Sequence, residues 1–140
     1  GELQMLEALY LFKNQINGSI PVELGKLSKL KQLQLHDNML TGVIPPRLGE
    51  LQLLEILYLF SNEISGTIHA ELGHLSNLKQ LLIHDNMLTG AIPTQLGGLQ
   101  MLEKLYLYSN QIIRTIPMEL GNLTNLKQLS LSNNMLTGIL

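Results

Sequence analysis

Residues 30–51 read LKQLQLHDNMLTGVIPPRLGEL, and the spacing of apolar residues in this stretch decides the fold. The same arrangement recurs along the chain with a step of 24 residues. Its most regular markers are asparagines, at Asn14, Asn38, Asn62, Asn86, Asn110 and Asn134. Self-similarity at a period of this length indicates a repeat protein, in which each unit buries its apolar face against its neighbours.

Leucines keep the same step, for example at Leu9 and Leu33 and again at Leu11 and Leu35. A leucine-x-leucine alternation predicts a short strand whose leucines face one way and whose intervening residues face the other. Parallel pairing of such strands stacks successive coils about 4.8 Å apart. The leucines then form a continuous core, and the intervening residues line an open concave sheet.

The full unit reads L-x-x-L-x-L-x-x-N-x-[IL]-x-G-x-I-P-x-x-L-G-x-L, and it resembles the leucine-rich repeat pattern. Its G-x-I-P part, as at residues 90–93, is similar to the plant-type subclass found in receptor-kinase ectodomains and in inhibitors of cell-wall polygalacturonases. That resemblance implies a second short strand beside the main one. Families of ROCO-type GTPases carry repeats of the same length inside cells, so this alternative stays open.

We therefore expect an α/β solenoid: a right-handed curved superhelix with a parallel β-sheet on its concave face, six 24-residue repeats and little regular helix. The resemblance implies that residues 1–140 form a single leucine-rich repeat domain. The chain begins at Gly1 and lacks the cysteine-stapled caps of plant-type domains, which favours a fragment of a longer protein. Uncapped apolar ends, with Leu3 and Met5 at one and Ile139 and Leu140 at the other, would promote end-to-end or homo-oligomeric association.

Composition excludes several classes of function. The chain has no cysteine, which removes disulfides, zinc–thiolate sites and thiol catalysis. Its net charge is −2 with both signs scattered, so it offers no basic surface for nucleic acid. No apolar run approaches the roughly 20 residues that a membrane-spanning helix needs. We expect no cofactor, no metal and no membrane insertion.

The six repeating asparagines are interpreted as structural. Each should turn inward after its strand and hydrogen-bond main-chain groups of neighbouring coils. The glycines and prolines should form turns on the return path to the next strand. Arg114 stands where other units carry glycine, so a positive φ there would cost about 1 kcal/mol.

A second period of 48 residues lies on top of the first, since odd units share Leu-Tyr-Leu-Phe or Leu-Tyr-Leu-Tyr and even units share Leu-Lys-Gln-Leu. One column of residues also alternates in charge from coil to coil. This column holds Glu7, Lys31, Glu55, Lys79, Glu103 and Lys127. Opposite charges about 5 Å apart should attract along the whole stack, each exposed pair contributing under about 1 kcal/mol.

The concave strand positions are the predicted ligand-binding surface. They carry all six aromatic residues of the chain, and aromatic side chains are enriched at protein interfaces. The predicted binding residues, all taken as exposed, are Tyr10, Phe12, Gln34, His36, Tyr58, Phe60, Leu82, His84, Lys104, Tyr106 and Tyr108.

Catalytic and metal-binding hypotheses do not fit this geometry. Adjacent strand residues point to opposite faces, so we expect that Asp37 does not orient His36. His36 and His84 lie two coils apart, about 10 Å, which is too far to share one metal ion. The sequence therefore predicts that the chain is not an enzyme.

The predicted function is non-catalytic recognition of a protein or peptide by the concave face, of receptor or immune type, with carbohydrate as a further compatible ligand. The alternatives are the repeat region of an intracellular ROCO-type GTPase and a structural, ice- or polysaccharide-binding solenoid. The candidate ice-binding column is Asn17, Thr41, Ser65, Thr89, Ile113 and Thr137.

An extracellular or cell-surface location is favoured over a cytoplasmic one by the plant-type resemblance. Asn17 and Asn122 each begin a glycosylation acceptor triplet, which is compatible with secretion. The absence of cysteine points the other way and keeps the cytoplasm open.

Overall fold

The computed structural model describes residues 2–139, and it consists of short strands linked by 3₁₀ helices and turns. The strands are β1 Ala8–Tyr10, β2 Asn17–Ser19, β3 Gln32–Gln34, β4 Met39–Thr41, β5 Ile56–Tyr58, β6 Gln80–Leu82, β7 Lys104–Tyr106, β8 Ile113–Arg114, β9 Gln128–Ser130 and β10 Met135–Leu136. The 3₁₀ helices are Val22–Lys26, Pro46–Glu50, Ala70–His74, Thr94–Gly98 and Met118–Asn122.

One parallel sheet runs the length of the molecule, with the strand order β1-β3-β5-β6-β7-β9. Each strand pairs with its neighbour in the 24-residue register, as Leu9 does with Leu33 and Leu57 with Leu81. We number the coils 1 to 6 by these strands, in the same order. The predicted solenoid of six stacked repeats with little regular helix is confirmed.

A second ladder of strand pairs lies beside the main sheet, as the plant-type resemblance implies. Strand β2 pairs with β4, and β8 pairs with β10, both in parallel. Isolated bridges from Val43 to Ser65 and from Thr67 to Thr89 continue the ladder between them. The polypeptide therefore pairs with its neighbours at two points in each coil, which holds the turn between the two strands in a fixed shape.

The core is a column of leucine and isoleucine that runs through the inner coils. Leu33, Leu57, Leu81 and Leu105 are fully enclosed, because each has a coil on either side. The equivalent Leu129 in coil 6 is 45% exposed. Leu3, Met5 and Ile139 are also exposed, whereas Gly1 and Leu140 lie outside the described residues. The two end coils thus leave apolar surface uncovered.

The repeating asparagines form hydrogen bonds between coils directly after the strands. Asn62 donates from Nδ2 to the carbonyl of Leu35 in the preceding coil, at 3.1 Å, and to the carbonyl of Leu59 in its own coil, at 3.0 Å. Its Oδ1 accepts from the N–H of Leu40 in the preceding coil at 2.9 Å. The same pattern joins each coil to the one before it at Asn38, Asn86, Asn110 and Asn134. Polar main chain that the sheet does not pair is satisfied in this way.

The residue before each asparagine adopts a left-handed conformation, although none of these residues is glycine. The six are Lys13, Asp37, Ser61, Asp85, Ser109 and Asn133, with φ between 51° and 55°. This backbone turns the chain sharply at the end of the strand, so the strand alternation of side chains stops there. The inter-coil hydrogen bonds of the asparagines compensate for the conformational cost.

The glycines fall into two groups with different roles, so their interpretation as turn residues is only half right. Gly42, Gly66 and Gly90 have φ between 73° and 75° and do form turns. Gly25, Gly49, Gly73 and Gly97, in the first four 3₁₀ helices, lie instead where successive coils approach closely. A Cβ on Gly73 would stand 2.5 Å from the carbonyl oxygen of Gln95 in the next coil.

Arg114 occupies the turn position of Gly90, and its φ of 75° is equally left-handed. A side chain at this φ costs about 1 kcal/mol, so we expect Arg114→Gly to stabilise the chain by about that amount. The measurement is the free energy of unfolding from urea titration. In the register of the other coils, Ala91 would face the Cβ of Arg114, and its small size leaves room for that carbon.

The matched control is Gly90→Ala, since the same turn in the preceding coil has no such room. A Cβ there would lie 2.7 Å from Cγ2 of Thr67, so the substitution adds a steric cost to the strain of the backbone. We expect Gly90→Ala to lower the free energy of unfolding by about 1–3 kcal/mol. Equal and small effects of both substitutions would contradict the assignment of strain to Arg114.

Candidate functional site

The concave face is built by the outward residues of the six main strands and by one further residue in each coil. That residue comes directly after the second core position, which is occupied by Leu11, Leu35, Leu59, Ile83, Leu107 and Leu131. Because the inward leucines are fixed in the core, these side chains repeat at the spacing of the coils. Five rings at this further position form a continuous stack, which we call the ring stack: Phe12, His36, Phe60, His84 and Tyr108. Adjacent rings have centroids 4.2–4.6 Å apart and are within 23° of parallel.

Three tyrosines flank this ring stack on the strand side, one in each odd-numbered coil. Tyr58 lies edge-on to His36, and Tyr106 lies edge-on to His84. The hydroxyl of Tyr10 donates to Oε1 of Gln32 in the next coil at 2.7 Å. Tyr58 and Tyr106 make the same bond to Gln80 and Gln128. Each tyrosine therefore leans toward the following coil in a fixed orientation.

Exposure within the predicted binding set is uneven, which corrects the expectation that all eleven residues are exposed. Tyr10 is 50% exposed and Phe12 is 37% exposed. His36, His84 and Leu82 are buried, with at most 9% of their surface accessible. The stack accounts for the two histidines, because both of their rings are covered on two sides by larger aromatic neighbours.

The remaining members of the predicted set are half-buried: Gln34, Tyr58, Phe60, Lys104, Tyr106 and Tyr108. Gln34 donates to Oε1 of Gln32, so its amide belongs to the tyrosine–glutamine network of coils 1 and 2. Lys104 has no ion pair among the described residues. Gln32, Gln80 and Gln128 were missed as binding candidates, although their position beside the tyrosines in every even-numbered coil is visible in the sequence.

His36 is oriented by the aspartate that follows it, contrary to the expectation from strand alternation. Its Nδ1 lies 2.9 Å from Oδ2 of Asp37. The left-handed φ of Asp37, 54°, turns its carboxylate back toward the preceding side chain. His84 has no such bond, and its Nδ1 is buried without a partner among the described residues.

Burial also shifts proton equilibria in the ring stack. Desolvation lowers the pKa of His84 from its ordinary value of 6.5, and it outweighs the opposing charges of Asp85 and Asp37. Desolvation raises the pKa of Tyr58 and Tyr108. His84, Tyr58 and Tyr108 are consequently uncharged near neutral pH.

We predict that acid destabilises the chain through His84. Because its folded pKa is lowered, the neutral ring contributes stability that is present above pH 6.5 and is lost as the pH falls from there through the folded pKa. His84→Phe should keep the stack and reduce this loss. Urea titrations at pH 7.5 and 5.0 compare the two chains, with His74→Gln, on the solvent-exposed end of a 3₁₀ helix, as the control. An unchanged acid loss in His84→Phe would contradict the prediction.

Several side-chain contacts join the coils in pairs rather than uniformly. The tyrosine–glutamine bonds connect coils 1 and 2, 3 and 4, and 5 and 6. The ion pairs Lys31–Glu7, Lys79–Glu55 and Lys127–Glu103, at 2.8–3.0 Å, connect the same coils. Asn77 donates to the carbonyl of Gln52, which joins coils 3 and 4, and Asn125 donates to that of Gln100, which joins coils 5 and 6.

The charged column therefore differs from the uninterrupted ladder expected from the sequence. Among the described residues, no ion pair joins coil 2 to coil 3 or coil 4 to coil 5, because each lysine reaches back to the glutamate before it. The hydrogen bond and charge of Glu55 raise the pKa of Lys79, and those of Lys127 lower the pKa of Glu103. The 48-residue sequence period is thus a structural period of two coils.

Neither a membrane span nor a metal site is evident in the part of the chain that the structure describes. No helix there has the length and apolar character needed to cross a membrane. No group of three or more histidine, aspartate or glutamate side chains within residues 2–139 could hold a metal ion.

Family models of the Leucine Rich Repeat match residues 5–27, 29–51, 53–75 and 77–99, and a two-copy model matches residues 100–140. The chain belongs to the leucine-rich repeat family. The matched segments follow one another at the 24-residue period of the coils, and the similar structures below place the chain in the plant-type group. A search of curated protein sequences found no match.

Similar solved structures include two plant peptide-hormone receptors and a plant ice-binding protein. The plant peptide hormone receptor RGFR1 in complex with RGF2 is 38% identical over 99% of this chain, with a TM-score of 0.97. The Arabidopsis receptor kinase HAESA, in complex with the peptide hormone IDA and the co-receptor SERK1, is 41% identical over 96% of this chain, with a TM-score of 0.94. The chain spans 22% of each receptor. A plant ice-binding protein is 30% identical over 94% of this chain and 50% of its own, with a TM-score of 0.84.

Proposed function

We propose that this chain is a recognition segment of a plant-type receptor and binds a peptide on its concave face. The observation that carries the proposal is the continuous aromatic surface, formed by the ring stack and the three tyrosines. Aromatic side chains supply large, rigid contact area and are enriched among the residues that dominate binding energy. The similar receptors are bound to peptide hormones, which supports the same class of ligand here.

The orientation of the rings favours a peptide over a carbohydrate. Sugar rings bind by placing their C–H groups on the flat face of an aromatic side chain. In the ring stack, both faces of His36, Phe60 and His84 are covered by neighbouring rings. Ring edges and tyrosine side chains are what face outward, and these suit the side chains and carbonyls of a peptide.

The charge of the concave face further narrows the ligand. Lys104 carries the single formal charge among the outward positions of the six strands. The lowered pKa of His84 keeps that ring uncharged near neutral pH. A surface of this kind favours an apolar or weakly charged peptide over a strongly acidic or basic one.

An extracellular location follows from the receptor hypothesis. A further HAESA structure shows its leucine-rich repeat ectodomain in complex with an N-terminally lengthened IDA peptide hormone. By the same analogy, this chain binds its ligand outside the cell as part of a longer receptor. Such a receptor would act in development or immunity. An intracellular ROCO-type role has weaker support, because the similar structures named above are not of that type.

The geometry disfavours ice binding, despite the similar plant ice-binding protein. In the candidate column, the hydroxyl of Ser65 donates to the carbonyl of Gly42, and that of Thr89 donates to the carbonyl of Gly66. These donors are therefore directed at the protein. Ile113 interrupts the column with an apolar side chain.

A peptide display library, panned over the purified chain, tests the proposal. Selected peptides should lose affinity by at least about tenfold in the triple variant Tyr10→Ala, Tyr58→Ala, Tyr106→Ala, since these rings contribute exposed contact area. The matched control is Val22→Ala with Met118→Ala, two exposed side chains on the 3₁₀ helices. Equal binding by both variants, or selection of no peptide, would exclude peptide recognition by the concave face.

A further inference from the structure

The two-coil period of the concave face constrains the backbone conformation of the peptide that it fits. Each odd-numbered coil presents one tyrosine, and the next coil presents the glutamine bonded to it. Adjacent rings of the stack have centroids 4.2–4.6 Å apart. A tyrosine–glutamine unit spans two coils, so at the distance of the rings from the core it repeats about every 9 Å. A ligand that uses the same contact repeatedly must have a matching period along its length.

A peptide in an extended strand does not match this period. Its side chains on one face recur every two residues, or about 6.7 Å. A polyproline II helix has three residues per turn and a rise of 3.1 Å per residue, so equivalent side chains recur about every 9.3 Å. Over three tyrosines, the polyproline II helix stays within about 1 Å of register, whereas the extended strand falls out of register at the second.

The hydrogen-bonding groups of the face have the same period and the required polarity. In Gln32, Gln80 and Gln128, Oε1 accepts from a tyrosine hydroxyl, so each Nε2 is the end that remains free to donate. No hydrogen bond within residues 2–139 uses these Nε2 groups. A polyproline II backbone makes no internal hydrogen bonds, and its carbonyls are available as acceptors.

The main sheet itself offers no alternative way to bind a strand on this face. Its backbone N–H and C=O groups pair with neighbouring coils, and the free edges lie at the two ends of the solenoid. Recognition must therefore use side chains. A ligand already ordered in water loses less conformational entropy when it binds such a surface.

We propose, resting on the peptide-binding function above, that the ligand is a proline-rich segment in the polyproline II conformation. It lies along the ring stack and places every third residue against successive tyrosines at Tyr10, Tyr58 and Tyr106. Its carbonyls accept from the free amides of the paired glutamines. Recognition then depends on a three-residue spacing in the ligand as well as on its composition.

Two fluorescein-labelled dodecapeptides of identical composition test this register by fluorescence anisotropy. One repeats Pro-Pro-Leu four times, and its isomer carries the four leucines consecutively. We expect the periodic peptide to bind at least about tenfold more tightly, and to lose that advantage in Tyr58→Ala with Tyr106→Ala. Gln80→Met, which keeps the volume but removes a donor, should also weaken it. Far-ultraviolet circular dichroism verifies that each variant is folded.

The outcomes separate this proposal from the one on which it rests. Equal affinity for the two isomers, or no binding of either while display-selected peptides bind the concave face, overturns the polyproline II register and leaves peptide recognition standing. Failure of the display selection removes both. Retained preference for the periodic peptide in the double tyrosine variant also overturns the proposal, whereas an unchanged affinity in Val22→Ala with Met118→Ala supports it.

Discussion

Gly73→Ala should lower the free energy of unfolding by about 3 kcal/mol, although it adds a single methyl group to a residue of ordinary φ. The new Cβ would stand 2.5 Å from the carbonyl oxygen and 2.8 Å from the Cβ of Gln95 in the next coil. Both obstacles belong to backbone or to the root of a side chain, so no rotamer change relieves them. The 3₁₀ helices of coils 3 and 4 must separate, and the leucines beneath them lose contact.

Gly121 supplies the matched control, because it occupies the equivalent position in the last 3₁₀ helix. No atom lies within 4 Å of the Cβ that alanine would add there. Alanine reduces the freedom of the unfolded chain relative to glycine, so we expect Gly121→Ala to be neutral or to stabilise by up to about 1 kcal/mol. Urea titration of both variants measures the difference, and losses of similar size would show that close approach is not what this glycine provides.

Much of the fold follows from spacing alone. A 24-residue step in leucine and asparagine specifies strand register, because a parallel stack can pair only equivalent residues of successive coils. The core positions follow from the same step. Gly73 shows where this reasoning ends: a glycine that permits a turn and one that permits close packing look identical in the sequence. The distance between neighbouring coils distinguishes them.

The sequence predicts which face of the sheet carries the candidate site, but it does not predict the contacts between the side chains on that face. Alternation along a strand indicates which side His36 and His84 occupy, but not that rings at coil spacing stack and cover one another. Alternation also fails where the strand ends, as the bond between His36 and Asp37 shows. The cause is the left-handed backbone of Asp37, and because this residue is not a glycine, the sequence gives no sign of the turn.

The pairing within the charged column could not be predicted from the sequence either. Its alternating signs are equally compatible with attraction in every gap, so the sequence predicts an unbroken ladder. A lysine can hold one glutamate at short range, and in all three ion pairs that glutamate lies in the preceding coil. Pairing of coils is therefore a property of side-chain reach, and the same two-coil period governs the tyrosines that we assign to ligand binding.

Asn62→Ala should be among the most damaging single substitutions outside the leucine core, with an expected loss of about 2–4 kcal/mol in the free energy of unfolding. The amide of Asn62 serves the carbonyls of Leu35 and Leu59 and the N–H of Leu40 at once. Removal leaves the N–H of Leu40 without a partner in a half-buried turn. It also takes one donor each from the carbonyls of Leu35 and Leu59, which keep their bonds from Asn38 and Asn86. Each unsatisfied group costs about 1–3 kcal/mol, partly offset where water can enter.

Asn14→Ala is the control that separates this inter-coil role from the conformation of a single turn. Asn14 has no coil before it, and its Nδ2 donates to carbonyls of Leu11 and Phe12 in its own coil. Its side chain is exposed, so water can replace these bonds, and we expect a loss below about 1 kcal/mol. If Asn14→Ala were as damaging as Asn62→Ala, the contribution would come from the local turn and not from the joining of coils.

Asn62→Asp distinguishes the donor function of the amide from its acceptor function. An aspartate keeps the oxygen that accepts from Leu40, but its carboxylate would face the carbonyls of Leu35 and Leu59, which repel it. Those carbonyls should raise the folded pKa of the new side chain, so the variant is most stable at low pH and loses stability as the pH rises through that pKa. Urea titrations at pH 4 and pH 7 measure this slope. A variant as stable as the parent at pH 7 would mean that the donated hydrogen bonds contribute little, and that Asn62 stabilises the chain mainly through its acceptor bond.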